Sequence, residues 1–220
     1  LFTEPTYGPF SVQNVSETLA EELLLLAHDI RGKCRIVPAA IDCGIAGALL
    51  SELALAGHLT VDDSVLVATD GAHTGAPILD ELLAGIVASS RTPWEWVTRL
   101  RGSGLTERLL TRMVDSGQVE VDHHRNYGLF AETWYPVRDI VALWEAHQRV
   151  VIAATTRVAP DRRTLALGAL AEAAGLGKVL FATSGDWRVL CERMREASAG
   201  DWAAEAVRRT IGAERKSASV

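Results

Sequence analysis

At 220 residues, 48% hydrophobic and 23% charged, the chain can enclose a sizeable core and has an ordinary globular composition. Its formal charge of −6 repels nucleic acid and anionic membranes alike, so contact with either needs a local basic patch. Cys34, Cys43 and Cys191 are odd in number and lack C-x-x-C spacing, which excludes a disulfide framework or zinc ribbon and points to a reducing, cytoplasmic setting.

Residues 1–15, with Pro5, Gly8 and Pro9, show no periodicity and read as a flexible lead without a secretory signal. From Ser16 as N-cap, Leu19, Leu23, Leu26 and Ala27 predict an amphipathic helix with Glu17, Glu21 and Glu22 in its first turns. Arg31-Gly32-Lys33 predicts a turn, and Cys34 to Val37 a short strand ending at Pro38. The run Ile41 to Leu59 is apolar around its circumference, but spanning a bilayer takes ~20 apolar residues and this run carries Asp42, Ser51 and Glu52. It is therefore read as a buried central helix, with Asp42 as N-cap, Gly44 and Gly47 admitting a close neighbour, and Gly57 ending it.

His58 to Thr69 alternates like a strand pair turning at Asp62-Asp63. Pro77 opens a helix with Ile78, Leu79, Leu82, Leu83, Ile86 and Val87 on one face, and Asp80 and Glu81 suit the positive end of its dipole. Thr92-Pro93-Trp94-Glu95 is a capping box, and Leu105 to Ser116 predicts a helix stopped by Gly117. Gln118 to Asp122 and Tyr127 to Thr133 predict a hairpin turning at His123 to Asn126. Helices near Arg138 to Ala153, Asp161 to Ala174, Gly185 to Ala197 and Asp201 to Ile211 follow. The fold expected is mainly α: a single domain over 16–212 with a central hydrophobic helix, amphipathic helices around it, short β-hairpins, and a frayed tail at 213–220.

Leu49 to Val61 and Leu109 to Val121 both run from helix through glycine into a hairpin, the order of a winged-helix reader of DNA. A reading helix carries Arg, Lys, Asn or Gln, whereas the first copy has none and the second only Arg108 and Arg112, so no nucleic-acid partner is expected. Nor does a catalytic constellation emerge. As neighbours on a hairpin His123 and His124 point to opposite faces and read as a polar turn, and His28, His58, His73 and His147 are scattered. Ser103-Gly104 and Ser184-Gly185 lack a nucleophile elbow, and Gly71 to Gly75 lacks the lysine of a P-loop. The expectation is a protein without active site, metal or cofactor. Most tryptophans sit at core spacing, but Trp134-Tyr135-Pro136 leaves the hairpin beside Leu129 and Phe130, and there docking on a partner subunit, contact with lipid and packing inside the monomer all remain open.

The ordered blocks TLAEELLLLAHD, IDCGIAGALLSELALAGHL, TGAPILDELL, LTERLLTRMVDSGQV, NYGLFAETWYPV and DRRTLALGALAEAAGL span roughly residues 18–181. Together they resemble the Golgi phosphoprotein 3 family, and the preference for Arg over Lys looks like a bacterial member. The resemblance implies a helical domain that acts without catalysis as a peripheral membrane adaptor, binds phosphatidylinositol 4-phosphate and gathers protein partners. Its protruding hairpin, here with Tyr127, Leu129, Phe130, Trp134 and Tyr135, serves oligomerisation and membrane contact. The family's lipid pocket of one tryptophan and three arginines falls at Val37, Ala46, Ser103 and Thr106, so none of the four residue types is kept. At ~1.5–3 kcal/mol per charged hydrogen bond to phosphate, that loss forfeits roughly three decades of affinity unless neighbours such as Arg99, Arg101 and Arg108 rebuild a basic pocket. Ala76 likewise replaces an acidic helix cap, at a cost of about 1 kcal/mol. The expected place is the cytoplasm, at the inner membrane face. The alternatives are a soluble protein-interaction module without a lipid ligand and a winged-helix regulator.

Overall fold

The structure, a computed structural model, describes residues 17–69, 73–126, 130–156 and 159–217, with the backbone alone at 125–126 and 130–131. Calls on the 1–15 lead, on Tyr127 and Leu129, and on the Phe130 side chain lie outside it. Among the described residues it is mainly helical, with ten helices and two separate antiparallel strand pairs.

At the centre is α2 (Pro38–Leu55), which packs against α1 (Leu19–Ala27), α4 (Pro93–Leu100), α5 (Leu105–Asp115), α7 (Arg162–Ala173) and α10 (Trp202–Ser217). Its start lies ahead of the expected Asp42 cap, because Pro38 supplies a helical φ at the first position with Val37 as N-cap. By length and composition, at a mean hydropathy of 1.4, α2 could cross a membrane, yet 67% of it is buried inside the fold. Neighbours surround it, with Ala46, Leu49, Leu50 and Leu53 all at 0% exposure. It stops where a Schellman motif forms: Gly57, at φ +79°, donates to Ala54 O (3.1 Å) and His58 to Leu53 O (2.9 Å). Leu59 therefore belongs to strand β1 (Leu59–Asp62), which pairs with β2 (Val65–Ala68). Of the two α2 glycines singled out in the sequence, Gly47 admits the closer neighbours, since a Cβ there would stand 2.6 Å from Val207 Cγ2 and 2.8 Å from Leu170 Cδ2.

Several boundaries differ from expectation for identifiable reasons. The N-cap of α1 is Thr18 rather than Ser16, in a capping box with Glu21. The 34–37 strand is reduced to one bridge, His28 to Cys34, because Asp29 Oδ1 accepts the N–H groups of Arg31 (2.9 Å) and Lys33 (3.0 Å) and curls the chain into a loop. Helix α3 (Pro77–Ala88) has no side-chain cap at Ala76; instead Asp80 accepts the Thr74 N–H (2.7 Å) and hydroxyl (2.8 Å). Those bonds hold the Asp80 carboxyl below its usual range. The second hairpin pairs β3 (Asp122–Asn126) with β4 (Phe130–Trp134), so His123 and His124 are strand residues and not the turn. Between α6 (Ile140–Thr155) and α9 (Trp187–Ala197), a short α8 (Gly177–Leu180) follows α7. Helix α10 continues to Ser217, past the expected stop at Ile211, and Glu214 on that extension pairs with Arg101.

A buried ionic cluster ties α1 to α2, α6 and α7. Glu22, 7% exposed, pairs with Arg149 and stands 3.2 Å from Arg163, which also binds Glu52 at 2.8 Å and the Glu17 carbonyl. Glu52 in turn accepts the Leu19 N–H at 2.6 Å. Burial raises the Glu22 pKa despite both arginines, and burial raises that of Glu17 likewise.

Gly47→Val is expected to cost about 2–3 kcal/mol by overpacking against the stiff Val207, read as a lowered urea midpoint. Arg163→Met, which leaves Glu22 and Glu52 short of a partner, should cost about 2–3 kcal/mol in the same measurement. Because folded Glu22 holds its proton above the ordinary value of 4.5, its contribution is full below that pH and lost as pH rises through the raised value. In Glu22→Gln the stability profile should therefore slope more positively just above pH 4.5 than in the parent; an unchanged slope would refute the assignment.

Candidate lipid-contact site

The positions that the resemblance assigned to the lipid pocket differ sharply in exposure. Val37, at the start of α2, is 66% exposed, whereas Ala46, further along the same helix, is 0% exposed and sealed in the core. Thr106 is half-buried and donates its hydroxyl at 2.6 Å to Oδ1 of Asp42, so a carboxylate of α2, not a cation, meets this position. Ser103 is exposed in the α4–α5 loop and donates to the Leu100 carbonyl. Nearby Cys43 is buried, and desolvation pushes its thiol up to about 11, which disfavours the thiolate.

The neighbouring arginines also separate. Arg101 is paired with Glu214. Arg99, Ser103 and Arg108 line a different feature, an apolar groove of about 310 Å³ between α3, α4 and α5, where Arg108 pairs with Glu81 at 2.8 Å. Val37, Ala46, Arg101 and Thr106 are not part of its lining.

Trp134 and Tyr135 lie at the base of the hairpin and contact the protein's own residues. Trp134 stacks on His124, ring centroids 3.8 Å apart, while Lys33 Nζ sits 5.9 Å from the Trp134 ring. Tyr135 meets buried His28 edge to face at 6.1 Å, and its N–H donates to the Gly32 carbonyl at 2.9 Å. Gly32 is required there: its φ is +86°, and a Cβ would fall 2.2 Å from Tyr135 C and Pro136 N.

This latch presents a surface that the sequence reading passed over as turn and strand. From Ile30 to Val37 the loop exposes Arg31, Lys33 and Arg35, flanked by Ile30 at 63% and Val37 at 66% exposure. Its one carboxylate, Asp29, accepts hydrogen bonds from the loop's own N–H groups. The alternation of cations with apolar residues in Ile-Arg-Gly-Lys-Cys-Arg-Ile-Val was the available signal.

A model of the Golgi phosphoprotein 3 (GPP34) family matches residues 19–213. The chain belongs to the Golgi phosphoprotein 3 family. The match takes in α2, the basic loop, the hairpin and the groove. In this Golgi phosphoprotein 3 member, restoring an arginine by Ala46→Arg should destabilise by more than about 3 kcal/mol, because the charge would enter a sealed core. A native-like melting temperature would show instead that the position opens to solvent.

Proposed function

We propose that this chain is a peripheral membrane adaptor, without a catalytic step, whose bilayer contact is the loop Ile30–Val37 rather than a pocket at Ala46, Ser103 and Thr106. The observation that carries this reading is the exposed set Arg31, Lys33 and Arg35, interleaved with Ile30 and Val37 and latched to the hairpin base. A cation near an anionic leaflet contributes ~1 kcal/mol, so three supply roughly two decades of affinity. Ile30 and Val37 add apolar surface at the depth where lipid head groups meet acyl chains. Such contact recognises anionic head groups by charge, with phosphatidylinositol 4-phosphate as one case. Protein partners are part of the same adaptor reading.

Co-sedimentation with phosphatidylglycerol-containing vesicles should show binding that falls steeply with salt and is absent on neutral phosphatidylcholine. The triple variant Arg31→Glu, Lys33→Glu, Arg35→Glu should lose about 100-fold or more in affinity while keeping its melting temperature. No vesicle binding by the parent at low salt would overturn the adaptor reading in favour of a soluble protein-interaction module. Undiminished binding by the triple variant would overturn the loop assignment.

A further inference from the structure

The groove between α3, α4 and α5 is separate from the basic loop and has its own chemistry. Ile78, Leu82, Leu100 and Leu105 make it apolar, and Gly85 deepens it, since a Cβ there would lie 3.3 Å from Trp96 Cη2. Its rim carries Arg99, Arg108 and Glu81, a balance of two cations to one anion. Arg108 is taken up by Glu81, whereas exposed Arg99 has no ion partner among the described residues. Trp96, 3% exposed and part of the lining, has an indole N–H without an acceptor. That N–H lies below the accessible surface, so the ring senses an occupant of the groove through its surroundings and not by a bond to it. Trp94 and Trp134 also have unpartnered indoles, but neither lines this groove.

We propose that this groove binds a free, single-chain amphiphile with an anionic end, of the fatty-acid carboxylate class. Its apolar chain lies along Ile78, Leu82 and Leu100, and its charge meets Arg99. At about 310 Å³ the groove sits at the small end of ligand sites and suits one short chain rather than a two-chain phospholipid. Its net rim charge selects an anion over a neutral alcohol of equal length.

The test is titration of the full chain with decanoate below its micellar concentration, followed by calorimetry and by the indole N–H resonance of Trp96, assigned with Trp96→Phe. Saturable one-to-one binding is expected, with a shift of that resonance and at least fivefold weaker binding of decanol. Arg99→Gln, at an exposed position, should abolish the preference for decanoate over decanol with melting unchanged. Gly85→Leu should block both ligands, with folding checked by circular dichroism. No saturable binding, equal binding of decanoate and decanol by the parent, or binding unaffected by both variants would each overturn the proposal. Lost vesicle affinity in Arg99→Gln would overturn it in favour of a bilayer source for the chain. A changed oligomeric state in Gly85→Leu, with no decanoate binding by the parent, would assign the groove to a second copy.

Discussion

Burial of the middle of α2 on all sides is the constraint on which the rest of the structure depends. A helix that is apolar on every side has no solvent-facing stripe, so the other elements must close around it. Five helices do so, and Gly47 lets α7 and α10 approach closely. The same closure removes Ala46 from any ligand's reach. Core packing and a phosphate-binding arginine compete for that position, and in this chain the core holds it.

Around this apolar centre, polar groups fix the orientation of the helices. Glu22, Glu52, Arg149 and Arg163 link four helices at the buried edge of α1, where desolvation is steep enough to raise the Glu22 pKa even beside two guanidinium groups. A cluster of that kind adds little net stability, but removing one partner strands the others. It therefore discriminates against alternative helix packings more than it deepens the native minimum.

The parts of the fold legible in the sequence are those whose signals are local. The Thr92–Glu95 box, Asp161 and Gly117 mark helix ends through bonds made within a few residues, Pro77 marks one through its fixed φ, and each lies where its chemistry predicts. The misplaced features are settled at long range. Helix α10 runs past Ile211, and its extension pairs Glu214 with Arg101, a contact that no window of sequence reveals. Polar residues at His123 to Asn126 looked like a turn because a two-stranded ribbon with little to bury has no apolar stripe to declare it. The site was less legible than the fold. Family positions could be assigned by residue number, but whether they share a surface depends on helix rotation, and Ala46 faces inward while Val37 faces out.

The basic loop resolves an apparent contradiction in charge. A chain of net charge −6 is repelled from anionic surfaces as a whole, yet fields beyond roughly 8 Å are screened at physiological salt. What a leaflet meets is then the nearest group of charges. Arg31, Lys33 and Arg35 form such a group because Asp29 caps the loop from within and Gly32 pins it against Tyr135 and Pro136. The loop leads directly into Pro38, where α2 begins, so the buried helix that excludes an arginine at Ala46 also holds one end of the cationic loop in place. A rigidly mounted loop loses less conformational entropy on contact than a free basic tail of equal charge. Binding through the loop therefore depends on the integrity of the core, although none of the loop's cations is buried in it.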